Sequence, residues 1–291
     1  MYQPEGYTNG NSNMVCKLNK ALYGLKQAPM AWFLTLQETL FKLGFHNLKS
    51  DTSLFIRHTT TSVIYLLCYV DDIVVAGNNS TEINLLIAEL NGIFPLKDLG
   101  NLHYFLGLEI LHLQDGRLHV SQQKYAKELV ERAGMLDANP MPTPMISSLK
   151  LYQGDSKPCE DPRQYRSIVG ALQYLTTTRP DLAYSVNKVS QFMHNSTLNQ
   201  WKAVKRILRY VKGTVREGLV FTKNTNYRIF GFAYADWGAD FDDRKSITGY
   251  CIYLGNNLVV WKCQKQSKLS RSTTEAEYRA VASAQTEIMT I

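Results

Sequence analysis

The chain has 291 residues, 45% of them apolar, and a formal net charge of +7. That apolar content supports a packed core and excludes a globally disordered chain, and the length suggests about two domains. The basic excess favours a polyanionic partner, nucleic acid above all, while a merely basic soluble protein fits the same charge.

The predicted elements run as follows. Residues 1–16 are polar, rich in Gly and Asn, and show no element. "WFLTLQETLFKL", from Trp32 to Leu43, places Phe33, Leu36, Leu40 and Leu43 at helical spacing before a stopping Gly44. Residues 53–57 read as a strand, and 63–70 with 73–76 as two short buried strands of a hairpin. A helix capped by Ser80 or Thr81 follows, with Ile83, Leu86, Ile87 and Leu90 on one face. Residues 103–122 read as a second hairpin with a type I′ turn at Asp115-Gly116, followed by a helix ending at Gly134. Five prolines within 138–162 mark a linker. A helical stretch begins near Tyr165. In "NQWKAVKRILRYVKGT", Trp201, Val204, Leu208 and Val211 form an apolar face, and Lys202, Lys205, Arg206, Arg209 and Lys212 cover the rest. That basic row is either the solvated face of a packing helix or a stripe that tracks a phosphate backbone. Strands are predicted over 227–237, 246–255 and 258–267, the last two joined across Asn256-Asn257, and a helix capped by Ser272 or Thr273 follows.

The five cysteines form no C-x-x-C pair and read as reduced thiols of a cytoplasmic or nuclear protein. The six histidines show no zinc spacing. No signal peptide or membrane span is visible, so no membrane partner is expected.

One feature of the 63–76 hairpin demands chemistry. Asp71 and Asp72 sit side by side between apolar runs. Adjacent carboxylates repel each other, and near apolar surroundings they need a cationic partner. A hairpin turn carrying them toward solvent can hold Mg²⁺, a hard ion that takes oxygen ligands and leaves positions for substrate phosphates. Taken alone, an Asp-Asp pair reads first as an acidic turn without a ligand, and the flanking apolar strands strengthen the metal reading.

Tyr69-Val70-Asp71-Asp72 resembles the Y-x-D-D motif of retroelement reverse transcriptases. "KLNKALYGLKQAPMAWF" at 17–33, "SDTSLFI" at 50–56 and "FPLKDLGNLHYFLGLEI" at 94–110 resemble copia-type retrotransposon polymerases. Residues 165–193 and 201–214 are similar to the region joining polymerase to ribonuclease H, and "DDRKSITGY" and "STTEAEYRA" to the start of that ribonuclease H. The match covers nearly the whole chain in family order.

The resemblance implies an α+β fold with a reverse-transcriptase palm and thumb, the fingers largely missing. A helical connection and a truncated ribonuclease H-like α/β domain would follow. The implied division is a partial palm at 1–92, a thumb-like region at 93–137, the linker at 138–162, the connection at 163–225 and the ribonuclease H part at 226–291. Asp71 and Asp72 fall on the catalytic metal pair, which uses two Mg²⁺ ions in the family. Gln27 falls on a stretch that positions nucleotide and template; a loop residue capping a helix is the alternative. Gly107 falls on a primer-holding hairpin where the primer backbone approaches closely, or marks a plain bulge. Glu277 falls on a ribonuclease H metal carboxylate, or is an ordinary surface helix residue.

Departures from the family pattern are as informative. The family's palm takes a further Asp from a strand upstream of the "QPEG" stretch, so the two-ion site is expected to be incomplete here. Tyr234 stands where the first ribonuclease H Asp is expected; Asp236, on the same side of the strand, is a doubtful substitute. Met30 replaces a usual Arg. The resulting expectation is a fragment of a retrotransposon RNA-directed DNA polymerase with partial ribonuclease H, inactive alone, with an exposed palm edge strand that promotes self-association. The alternative is a non-catalytic remnant that binds RNA or RNA–DNA hybrid, and a third reading is a piece of a longer reading frame. The implied partners are an RNA template, a DNA primer or hybrid, and the rest of a Pol polyprotein.

Overall fold

Ala28–Lys42 forms helix α1, which opens on the Ala28-Pro29 pair and closes before Gly44 at φ +81°. Proline is tolerated in a first helical turn because its missing N–H has no partner there in any case. That is why α1 begins four residues earlier than the periodicity implies. The computed structural model describes residues 15–19, 22, 24–70, 72–147, 149–223 and 226–290. The reading of residues 1–14 and of Asp71 therefore lies outside the described residues. The chain divides into two units, Met1–Leu102 and His103–Ile291.

In the first unit α1 is followed by an antiparallel sheet in sequential order: β1 (His46–Asn47), β2 (Leu54–His58), β3 (Val63–Tyr69) and β4 (Asp72–Gly77). Helix α2 (Ser80–Ile93) comes next. Its cap is Asn79, not Ser80 or Thr81: the Asn79 side chain accepts from the Thr81 and Glu82 amides. Along β3, Ile64, Leu66 and Cys68 are buried while Tyr65 and Tyr69 are exposed. The inner set packs with Leu36, Leu40, Leu86 and Leu90 of the two helices. The apolar run expected as a fully buried strand is thus half-buried, as the two-residue period of an antiparallel strand allows.

The second unit begins with β5 (Tyr104–Phe105), β6 (Leu108–His112) and β7 (Leu118–Ser121), and β8 (Gly218–Phe221) completes that sheet from nearly a hundred residues on. The expected single hairpin is a meander with two turns. Asp115 is not left-handed, and only Gly116 is, at φ +82°. The loop between the Leu113 and Arg117 pair therefore holds three residues, and Asp115 folds back to accept from the Arg117 amide at 3.1 Å. The two-residue left-handed turn falls at Leu106-Gly107 instead, at φ +49° and +79°.

Four helices, α3 (Gln123–Arg132), α4 (Pro162–Leu175), α5 (Ala183–Ser190) and α6 (Leu198–Gly213), share one core built around Tyr165, Ile168, Leu172, Val204 and Ile207. The proline-rich 138–162 segment, expected as a linker, is a strap across α6. Leu151 and Cys159 enter the helical core, and Pro162, capped by Asp161, opens α4. A last sheet, in the order β11-β10-β9, comprises β9 (Ile229–Asp236), β10 (Ile247–Leu254) and β11 (Asn257–Lys265). The β10–β11 turn is Gly255-Asn256, one residue before the expected pair, because Gly255 supplies the positive φ of 58°. Helix α7 (Thr273–Ile288), capped by Ser272, packs on β9 and β10 through Ala276, Ala280 and Ala284. Helices and antiparallel sheets together make an α+β chain.

Candidate functional site

The turn between β3 and β4 contains two residues, since Tyr69 pairs with Asp72. Val70, the first of them, sits at φ +53°. A β-branched residue in the left-handed region is an outlier that persists only where its surroundings over-determine it. Here the indole Nε1 of Trp32 donates to the Val70 carbonyl at 3.0 Å, and Trp32 packs edge-on against Phe94 at 5.1 Å. The register puts Asp72 on the outer face with Tyr69 and Tyr65, opposite the face that carries Cys68 and Leu66. Asp72 is exposed there. Its hard oxygens fit Mg²⁺ in kind. Among the described residues no group of three or more His, Cys, Asp or Glu side chains comes together anywhere to hold a metal.

Gln27 occupies the N-cap of α1 with an exposed side chain that makes no capping bond; its carbonyl accepts from the Ala31 amide. Met30 is exposed in the first turn of that helix.

In the second unit Glu277 projects from α7 and its Oε2 accepts from the Ala235 amide of β9 at 3.1 Å. This fixes the Glu277 carboxylate beside the stretch Tyr234-Ala235-Asp236 of an edge strand. The small pairs Ala233/Ala235 and Ala276/Ala280 let helix and strand approach closely. Tyr234 and Asp236 point to the opposite face of the sheet from Ala235, toward α5. Burial pushes the Tyr184 phenol up, and the Asp236 charge adds to it. Burial pulls the Lys188 ammonium below its usual range, opposed by Asp240. Nearby, Asp243 is held down at about 2: burial raises it, but bonds from Lys245 and Lys265 outweigh that.

The basic row of α6 divides in two. Lys202 and Lys205 are exposed, Lys205 lying over the Trp201 ring at 5.5 Å. Arg206 donates to Thr143 Oγ1 at 2.8 Å and Arg209 to the Asn139 carbonyl at 2.6 Å; Lys212 donates to the Leu136 and Ala138 carbonyls. Three of the five cations thus bind the strap. Gly107 is half-buried, and the Tyr174 hydroxyl occupies the space a Cβ would fill. That contact explains why glycine stands at 107 within this chain.

Asp72 and Gln27 belong to the first unit, and Gly107, Glu277, Asp236 and the α6 row to the second. Sequence reasoning missed Trp32 and Tyr174 as supports. Each reaches its turn across 38 and 68 residues respectively, and no local pattern signals that.

Residues 1–147 match the family model described as "Reverse transcriptase (RNA-dependent DNA polymerase)". The whole chain is 46% identical to the retrovirus-related Pol polyprotein from transposon RE1 and 44% identical to that from transposon RE2, both of Arabidopsis thaliana. It is 38% identical, over 96% of its length, to the Pol polyprotein from transposon TNT 1-94 of Nicotiana tabacum. The chain spans 20% of the length of the RE1 and RE2 polyproteins and 22% of the tobacco one. No solved structure matches it. No described helix is long and apolar enough to cross a membrane. The family uses a divalent metal and binds nucleic-acid templates. On the motif around Tyr69-Val70-Asp71-Asp72, the family match and the full-length similarity, the chain belongs to the reverse transcriptase family, in its copia-type retrotransposon Pol branch.

Proposed function

We propose that this chain is a segment of a copia-type Pol polyprotein and that its first unit carries the metal-bearing turn of an RNA-directed DNA polymerase. The observation that carries the reading is the strained, Trp32-tethered turn that sets Asp72 on the outer face of the β3–β4 hairpin. Asp71 and Asp72 would hold Mg²⁺ together with a further carboxylate from outside the described residues. When bound, the metal supplies Lewis-acid activation of a primer hydroxyl and of the leaving pyrophosphate. The residues of this chain fix the turn, keep the Asp72 carboxylate exposed, and anchor the turn to the helical layer through Trp32. Gln27 serves template and nucleotide positioning, and the 104–112 hairpin with Lys202 and Lys205 contacts primer or hybrid. Residues 226–291 correspond to the start of a ribonuclease H-like domain, in which Glu277 takes a metal position and Tyr234 leaves another without its carboxylate. The partners are an RNA template and DNA primer, and the compartment is cytoplasm or nucleus.

Primer extension on poly(rA)/oligo(dT) with Mg²⁺ tests this. Little synthesis is expected from the chain alone. Synthesis is expected from a version continued upstream along the RE1 sequence, and Asp72→Asn should abolish it. Vigorous synthesis by the chain alone that disappears in Asp72→Asn would show a complete site here. An inactive extended version would refute the polymerase reading. Tyr234 in a carboxylate position favours the second reading, non-catalytic hybrid binding, whose mark is salt-sensitive affinity unchanged by Asp72→Asn.

A further inference from the structure

We infer that Tyr174 is a positioning residue for nucleic-acid binding: its hydroxyl locks the Leu106-Gly107 turn in a single backbone conformation at the tip of the hairpin. The inference rests on the proposed role of the 104–112 hairpin in holding primer or hybrid.

Phe105 pairs with Leu108, so Leu106 and Gly107 are the two central residues of a turn in which both are left-handed. Glycine adopts that conformation freely, whereas leucine resists it. Something must therefore hold the turn. Tyr174, near the end of α4, donates its Oη hydrogen to the Leu106 carbonyl at 2.6 Å. Its ring meets Tyr125 of α3 edge-on, with centroids 4.9 Å apart at 84°, and Tyr125 in turn donates to the Ala171 carbonyl of α4. Glu109 secures the same hairpin at its base, where Oε1 accepts from the Lys124 amide at 2.6 Å.

Two helices thus hold a hairpin whose Tyr104 and Leu106 side chains remain exposed. A hydroxyl seated where the Gly107 Cβ would lie makes Gly107 and Tyr174 one unit: glycine at 107 is what lets the tyrosine reach the carbonyl. A turn fixed before contact loses less conformational freedom on binding than a mobile one.

The experiment uses the full chain with Tyr174→Phe, Gly107→Ala and the double variant. Amide exchange across 104–112, thermal melting and the affinity for poly(rA)/oligo(dT) hybrid are measured for each. Tyr174→Phe keeps the ring packing, so the melting temperature should barely move. Exchange at the turn should rise and hybrid affinity fall about fivefold. Gly107→Ala should do the same or more, and its additional effect should shrink in the Phe background, where the hydroxyl no longer occupies the Cβ space. Unchanged exchange in Tyr174→Phe would overturn the lock. Raised exchange with unchanged affinity would overturn the positioning role while leaving the lock in place. If the wild-type chain does not bind the hybrid at all, the proposed function fails, and exchange still judges the lock separately.

Discussion

Val70 bears the backbone strain of the acidic turn. A left-handed conformation costs an L-residue with a Cβ roughly 1–2 kcal/mol, and the half-exposed Val70 side chain recovers little of that by packing. Val70→Gly should therefore stabilise the chain, by up to about 1 kcal/mol once the extra unfolded-state freedom of glycine is deducted. A higher urea midpoint with an unchanged slope is the expected result. A lower midpoint would mean that the Trp32 hydrogen bond depends on the valine's own conformation. The position of this turn was legible because two apolar runs frame two carboxylates. Its geometry was not, because the stabilising contact comes from α1. The same limit explains Asp115-Gly116: the dipeptide signals a turn, but the pairing of Leu113 with Arg117 decides how many residues it contains.

At the scale of elements, α6 and the strap show what a row of cations does when a neighbouring segment offers acceptors. Periodicity placed Trp201, Val204, Leu208 and Val211 on the apolar face of α6; the last three are fully buried, Trp201 is half-buried, and Ile207, which it did not name, is fully buried as well. It could not divide the basic face, because the Thr143 hydroxyl that captures Arg206 and the carbonyls that capture Arg209 and Lys212 belong to residues more than sixty positions earlier. Prolines in 138–162 suggested a loose connection. Proline also suits a segment fixed against a neighbouring element, and α6 holds this one through the Ala138 and Asn139 carbonyls and the Thr143 hydroxyl. A functional division follows. Changing Lys202 and Lys205 to Gln should leave the melting temperature unchanged and reduce the slope of log affinity for hybrid against log salt by nearly two. Changing Arg209 and Lys212 to Gln should lower the melting temperature and affect the salt slope less. Titrating hybrid binding between low and moderate salt, alongside thermal melts, checks both halves.

On the scale of the molecule, the break between units falls in a stretch that the composition did not mark. The sequence drew attention to the prolines of 138–162, yet residues 97–101 are the exposed run next to the Leu102/His103 division. Phe94 is buried in the first core and Leu99 is largely exposed, so apolar character at 94–99 concealed a connection. Backbone exposed and short of packing partners opens at low free energy and is cut first by proteases. Limited trypsin digestion should therefore begin after Lys97, because the strap's Lys150 is followed by Leu151, which is buried in the helical core, and Lys157 precedes Pro158, a bond trypsin does not cut. Mass spectrometry of the earliest fragments identifies the site. Initial cleavage after Lys150 would restore the linker reading of 138–162 and remove the strap as a structural element.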